Sequence, residues 1–161
     1  MPFTNCCFTG HREIPANEKE PLSAMLDDAL TVLYEEGVRN FFAGGARGFD
    51  TLAAERVLAL RDRGRENVRL YLILPYPNSC AGWSPWEIAR FHAVLARCDG
   101  FRFISEAYRK DVMRDRNFAL VAAADLCVAY ARRYASGAGQ TVRAAERAGI
   151  PVMNLADRLG R

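Results

Sequence analysis

Short apolar runs alternate with longer segments in which apolar residues recur at helical spacing. The short runs are typical of buried strands, and the longer segments are typical of helices that pack on one side. Predicted strands cover residues 5–8, 38–43, 68–74, 101–104, 126–130 and 151–154. Predicted helices cover residues 22–36, 51–63, 85–97, 110–123 and 141–148. The chain therefore reads as a repeated strand-then-helix order.

This order predicts an α/β fold in which a parallel sheet is covered by helices on both faces. The chain has 161 residues and shows no repeat, low-complexity stretch or linker, so residues 1–161 are predicted to form a single domain. In open parallel sheets, ligands bind beyond the carboxyl ends of the strands, where the strand order reverses. The residues that directly follow the predicted strands are therefore the candidates for a binding site.

Four of these connections carry the side chains and glycines that a binding site needs. Residues 9–12 follow the first strand, residues 44–50 the second, residues 74–77 the third, and residues 136–141 come after the fifth. Because the carboxyl ends of parallel strands lie at one edge of a sheet, these connections are predicted to converge on one crevice.

The connection from Gly44 to Asp50 has the features of an anion-binding turn between a strand and a helix. Its three glycines allow positive φ angles and close approach of a ligand, and Arg47 can offer a planar guanidinium to a phosphate. Asp50 is predicted to cap the helix that starts at Thr51, where backbone N–H groups are exposed. The turn therefore favours a nucleotide-type ligand.

Composition and charge narrow the range of partners. The 22 Lys and Arg residues are interleaved with 19 Asp and Glu residues and leave a net charge of +3, so we do not expect nucleic acid as a partner. Five cysteines without a C-x-x-C pair and only two histidines argue against a metal site and a disulfide framework. We also expect no resident cofactor. No segment reads as a leader or a bilayer span, so we expect a cytoplasmic protein without membrane contact.

Several short motifs spread over nearly the whole chain are specific in combination. They are residues 8–12 (FTGHR), residues 44–55 (GGARGFDTLAAE), Leu74-Pro75 followed by Trp83, Tyr108 with Met113 and Arg116-Asn117, and the loop that ends at Thr141. With these motifs the chain resembles the SLOG superfamily, named from the Smf/DprA and LOG proteins, and within it the YpsA-like proteins. The resemblance implies a Rossmann-like three-layer domain that binds nucleotides or nucleotide derivatives.

Two activities within the superfamily provide alternatives. DprA-like members act on single-stranded DNA, and LOG-like members hydrolyse cytokinin nucleotide phosphoribosides. In LOG enzymes a glutamate stands three residues after the loop threonine, whereas here Ala144 stands three residues after Thr141, which counts against hydrolysis. Compared with the Gly-Gly-Thr-x-x-Thr loop of YpsA-like proteins, residues 136–141 (SGAGQT) also replace one glycine of the motif and one hydroxyl that could reach a phosphate.

The residues favour a sensor-like domain that binds a nucleotide or nucleotide derivative without turnover. Arg12, Arg47 and Arg116 accompany glycine-containing loops, and no complete catalytic set is evident. His11 is interpreted as a hydrogen-bonding residue rather than a catalytic one. The predicted ligand-binding residues, which the loop positions and the resemblance supply together, are Thr9, Gly10, His11, Arg12, Gly44, Gly45, Arg47, Gly48, Asp50, Pro75, Arg116, Asn117, Gly137, Gly139 and Thr141.

Two other functions stay open at this stage. A phosphoribohydrolase-like enzyme would cleave an N-glycosidic bond and needs a carboxylate near the sugar, for which Asp50, Glu87 and Glu146 are candidates. DprA-like binding of single-stranded DNA is the other alternative. Exposed apolar residues on the helices could mediate a homodimer, which is common among Rossmann-like domains.

Overall fold

The computed structural model of the chain describes residues 3–132 and 135–159, in which strands and helices alternate. The strands are β1 (Asn5–Gly10), β2 (Asn40–Ala43), β3 (Arg69–Leu74), β4 (Gly100–Phe103), β5 (Leu126–Tyr130) and β6 (Val152–Asn154). The helices are α1 (Lys19–Glu35), α2 (Phe49–Asp62), α3 (Pro85–Arg97), α4 (Val112–Ala123) and α5 (Gly137–Arg147). Short 3₁₀ helices at Ala16–Glu18 and Leu155–Arg158 precede α1 and follow β6. None of these helices is both long and apolar enough to cross a membrane.

All strand pairs of the sheet are parallel, and the strand order is β4-β3-β2-β1-β5-β6. The chain adds strands outward from β1 to β4, returns through α4, and adds β5 on the other side of β1. Cys7 of β1 accordingly pairs with Phe42 of β2 and with Cys127 of β5. The predicted α/β Rossmann-like class is confirmed, and the strand order reverses between β1 and β5.

The helices cover the two faces of the sheet in two groups. One core cluster joins α1, α2 and α3 to the sheet and includes Phe8, and the other joins α4 and α5 and includes Cys7. Because successive side chains of a strand point to opposite faces, adjacent residues of β1 enter different clusters. This burial on both sides explains why the strands are continuous apolar runs rather than alternating ones.

Four of the five helix starts differ from the sequence-based expectation: α1 begins three residues early, at Lys19, and α4 begins two residues late, at Val112. Helix α2 begins at Phe49 rather than at Thr51, and α5 begins at Gly137, four residues before the predicted start at Thr141. In α5 the hydroxyl of Ser136 accepts a hydrogen bond from the N–H of Gly139 at 3.0 Å and caps the helix. Because of this cap, Gly137 and Gly139, which were expected in a loop, lie in the first turn of the helix.

Candidate functional site

A cavity of about 820 Å³ lies at the edge of the sheet where β1 and β5 end. This is the place where the strand order reverses and where helices diverge to opposite faces, so backbone from several connections meets without filling the space. The residues after β1 and β2, the first turns of α4 and the start of α5 all line it. Three of the four predicted connections therefore converge here.

The predicted binding residues divide into two groups. Those that line the cavity are Thr9, Gly10, His11, Arg12, Arg47, Asp50, Arg116, Asn117 and Gly137. Those that lie outside its lining are Gly44, Gly45, Gly48, Pro75, Gly139 and Thr141. The connection after β3 is the one that stays outside, because Pro75 is buried and lines only a separate cavity of about 30 Å³.

Thr141 does not present its hydroxyl to the cavity. It is buried within α5, and its hydroxyl donates a hydrogen bond to the carbonyl oxygen of Gly137 at 3.0 Å. The start of α5 contributes Ser136, Gly137 and Ala138 to the lining instead. Any anion near α5 would therefore meet the first turn of the helix rather than the threonine.

Gly48 is required by packing between two chain segments. Its φ is +80°, and a Cβ at this position would lie 2.3 Å from the carbonyl oxygen of Arg12. Next to it, the N–H of Phe49 donates a hydrogen bond to the carbonyl oxygen of His11 at 3.1 Å. The turn after β2 is thus held directly against the segment that leaves β1, and the glycine serves this contact.

Asp50 is not the cap of α2, contrary to the prediction. The capping position is Gly48, and no side chain provides a capping hydrogen bond there. Because the helix begins at Phe49, Asp50 falls in its first turn, is buried, and accepts a hydrogen bond from the N–H of Ala46 at 3.2 Å. Burial raises the pKa of Asp50, and the positive charge of Arg116 opposes this rise.

Arg116 is a buried cation in the wall of the cavity. It is 5% exposed and donates hydrogen bonds from Nε to Asn117 Oδ1 at 2.8 Å and from Nη1 to the carbonyl oxygen of Gly44. Burial lowers its pKa, and the nearby Asp50 carboxylate counteracts this effect. Asp50 and Arg116 are thus buried opposite charges beside Gly44 that attract each other without a direct ion pair, and the hydrogen bond from Arg116 to Gly44 joins α4 to the glycine turn.

Three further arginines surround the cavity at its exposed side. Arg47 lies 3.6 Å from both Glu13 and Glu87, and Arg132 lies 2.7 Å from Glu18. Arg12 is exposed and takes part in none of the ion pairs formed by the described residues. Since exposed ion pairs are weak, these guanidinium groups can exchange their partners for a ligand anion.

His11 links the ends of β1 and β5. Its Nε2 accepts a hydrogen bond from the N–H of Arg132 at 2.8 Å, and its ring meets that of Tyr130 edge-on at 5.5 Å. The proton of the neutral ring is therefore on Nδ1 in this arrangement. This contact agrees with the interpretation of His11 as a hydrogen-bonding residue.

The sequence-based predictions did not include Tyr130 and Arg132, which line the cavity at the end of β5 and just after it. Tyr130 donates a hydrogen bond to Glu18, which also pairs with Arg132. The tyrosine hydrogen bond lowers the pKa of Glu18. Both residues stand at the end of a predicted strand, which is a position that favours a binding site. They were missed because the glycine-containing residues 136–141 were predicted to form the binding loop after this strand.

Comparison with known proteins shows which family the chain belongs to. A family model named YpsA and described as the YspA SLOG family matches residues 6–146 of this chain. The chain belongs to this family. The resemblance deduced from the motifs is thereby confirmed for most of the chain.

Individual relatives of the YspA SLOG chain are distant. A UPF0398 protein, ABC2016, from Shouchella clausii is 27% identical over 106 residues, which are 65% of this chain and 56% of that protein. DNA processing protein A from Helicobacter pylori has a TM-score of 0.63 at 17% identity, over 92% of this chain and 63% of that one. DprA from Streptococcus pneumoniae has a TM-score of 0.62 at 16% identity, over 93% of this chain and 49% of that one. The chain thus spans between 49% and 63% of the lengths of these proteins.

Proposed function

We propose that this YspA SLOG domain binds a nucleotide or a nucleotide derivative in the cavity between the ends of β1 and β5. The observation that carries the proposal is the convergence of cations on this cavity. Arg12, Arg47, Arg116 and Arg132 line it together with the first turn of α5. Guanidinium groups bind phosphate through paired hydrogen bonds, and N–H groups at the start of a helix favour negative charge.

The remaining lining suits the less polar part of such a ligand. Ile14 and Met113 supply apolar surface beside the arginines. Ligand sites combine apolar surface with a few polar groups that fix orientation, and a volume of about 820 Å³ lies within their usual range. The cavity therefore has room for a nucleoside as well as for its phosphate.

Removal of the exposed guanidinium of Arg12 is expected to weaken ligand binding without affecting stability. Isothermal titration with adenine and guanine nucleotides, ADP-ribose and NAD identifies the ligand. For that ligand, Arg12→Gln is expected to raise Kd about tenfold, since a hydrogen bond to a charged group contributes about 1.5–3 kcal/mol. Arg114→Gln is the matched control, because Arg114 is an exposed arginine on α4 outside the lining and should leave Kd unchanged.

Absence of saturable binding by every member of the panel would contradict the proposal, and so would binding that Arg12→Gln leaves intact.

Chromatography of the same mixtures for free base tests turnover. Asp50 is the carboxylate candidate that lines the cavity, while Glu87 lines a neighbouring one and Glu146 lines neither. Release of base that Asp50→Asn abolishes would assign phosphoribohydrolase-like chemistry instead of binding alone.

A second candidate function is binding of single-stranded DNA. It is favoured by the likeness in fold to the H. pylori protein, which has a single-stranded DNA binding mode. The charge of the chain led us not to expect nucleic acid as a partner. The likeness in fold is weak support for the opposite view. A labelled oligothymidylate should shift at low salt and be released steeply as salt rises if this function applies, because phosphate contacts release counterions. No shift at low salt would exclude it.

A further inference from the structure

A second cavity, which the proposed function does not use, adjoins the first. It has a volume of about 550 Å³ and lies against α3 and the start of α1. Arg12, Glu13, Ile14 and Arg47 line both cavities, so the two spaces meet at these side chains. A ligand longer than a mononucleotide could therefore extend from one cavity into the other past two cations.

The distinctive residue of the second cavity is Trp86. Its side chain is 61% exposed, which is unusual for the largest apolar side chain. The guanidinium carbon of Arg90 lies 4.6 Å from the centre of the indole ring, and the amino group of Lys19 lies 5.4 Å from it. Both cations lie over the ring, so a nucleobase can stack on this exposed indole when the long side chain of Lys19 moves aside.

The surroundings hold Trp86 in place. It is the second residue of α3, after Pro85, and a capping box between Ser84 and Glu87 fixes this helix start. Arg90 is in turn bound by both carboxylate oxygens of Glu55. Since a fixed aromatic surface loses little entropy when a ligand binds, the indole is suited to recognition.

The charges between the cavities fit a phosphate bridge. Arg47 is held there by 3.6 Å contacts with Glu13 and Glu87 and by a 3.5 Å hydrogen bond to the carbonyl oxygen of Arg12, and because exposed ion pairs are weak, a phosphate can replace the carboxylates. Arg12 is exposed beside it. Ile14 lines both cavities and Leu52 the second, and they add apolar surface for an uncharged base.

From these observations we infer that the second cavity is a subsite for a second nucleoside, with its base stacked on Trp86 and the bridging phosphate bound by Arg12 and Arg47. This inference rests on the proposed function and specifies its ligand class as two nucleosides joined through phosphate. Such a ligand is either a free dinucleotide or a step of a single strand. Both present the same bridge and the same bases to these residues.

The experiment compares ligands that fill one cavity or both. AMP, NAD and a ten-residue oligothymidylate are titrated into the full chain and into Trp86→Ala, Trp86→Phe and Phe118→Ala. Phe118 is the matched control, because it is an exposed aromatic residue beside Arg114 and lies outside both cavities. Trp86→Ala is expected to weaken the two-nucleoside ligand about tenfold and to leave AMP unchanged. Trp86→Phe should restore most of the loss, and Phe118→Ala should have no effect.

The pattern of loss assigns the source of the ligand. If Trp86→Ala weakens the binding of NAD, the ligand is a free dinucleotide. If it weakens the binding of oligothymidylate, the ligand is a single strand. If AMP binds but Trp86→Ala weakens neither longer ligand, the subsite is wrong while the proposed function stands. If neither these three ligands nor any other member of the nucleotide panel binds the unchanged chain, both are wrong.

Fluorescence gives an independent test, because Trp83 and Trp86 are the two tryptophans of the chain. Trp83 packs edge-on against Phe91 at 5.7 Å and is partly buried. Stacking on Trp86 should quench the emission of the unchanged chain, and the Trp86→Phe variant should show no comparable quenching. Equal quenching in both would contradict the inference.

Discussion

Replacement of Arg116 with methionine is expected to lower the free energy of unfolding by about 3 kcal/mol, because it removes a buried cation that donates hydrogen bonds to Asn117 and Gly44 and that offsets the buried charge of Asp50. The variant leaves the buried carboxylate of Asp50 without its cation and the carbonyl of Gly44 without its donor. Urea unfolding followed by circular dichroism measures the loss. Arg114→Met on the exposed side of the same helix should change the free energy of unfolding by less than about 0.5 kcal/mol.

The double variant Asp50→Asn with Arg116→Met separates the charge effect from the loss of packing. It removes both charges, and an asparagine oxygen can still accept the hydrogen bond from Ala46. We expect it to recover a substantial part of the stability that Arg116→Met loses, because an uncharged pair carries no desolvation penalty. If the two single losses simply add, the charges do not interact and this interpretation of the pair is wrong.

The Arg116→Met loss should also depend on pH. Loss of the cation raises the pKa of Asp50 further above its unfolded value, since the cation is one of the groups that oppose the effect of burial. An acid with a raised pKa binds protons more tightly in the folded state, so the free energy of unfolding falls as pH rises from the unfolded pKa to the folded one. The difference from the unchanged chain should therefore be larger at about pH 8 than at about pH 5. The opposite trend would contradict this assignment.

Gly48→Ala is expected to destabilise the chain by about 3 kcal/mol or more, through backbone strain and a steric clash together. Gly48 has φ +80° and ψ −122°, a region that residues with a Cβ avoid. The added Cβ would also lie 2.3 Å from the carbonyl oxygen of Arg12, which belongs to the backbone and cannot rotate away. Relief of the clash requires separation of the turn after β2 from the segment after β1, so ligand binding should be lost as well.

Gly64→Ala is the control that isolates the clash. Gly64 has φ +90°, but no atom lies within 4 Å of its hypothetical Cβ. Gly64→Ala should lower the free energy of unfolding by only about 1 kcal/mol, which is the usual cost of a residue with a Cβ in this part of the φ range. Thermal unfolding of both variants by calorimetry measures the difference. Equal losses would show that strain alone accounts for Gly48.

Most elements of the fold could be predicted because their signals are local. The predicted bounds of α3 and β5 agree with the structure, since Pro85 and the all-apolar run 126–130 mark them in the sequence. The starts of α2 and α5 were less accurate, because helix starts depend on which groups satisfy the first N–H donors. In α5 that group is the hydroxyl of Ser136, five residues before the predicted helix start at Thr141.

The site was predictable in part. The connections after β1 and β2 were recognised from residue types, and the cavity at their ends contains Arg12, Arg47 and Arg116. Pro75 and Thr141 were expected there and lie outside it. Their positions depend on how the third connection and α5 pack, and this packing has no signature in residue type alone.

The sequence by itself determined the order of strands and helices, the parallel sheet and the residue types available at the strand ends, because these depend on hydrophobic spacing and on turn chemistry along a short stretch of chain. Only the tertiary structure decided that Asp50 faces Arg116 instead of capping a helix, that Gly48 serves a contact with Arg12, and that Trp86 stays exposed beside a second cavity. These relations join residues far apart in the chain. Burial and close approach decide them, and neither can be read from neighbouring residues.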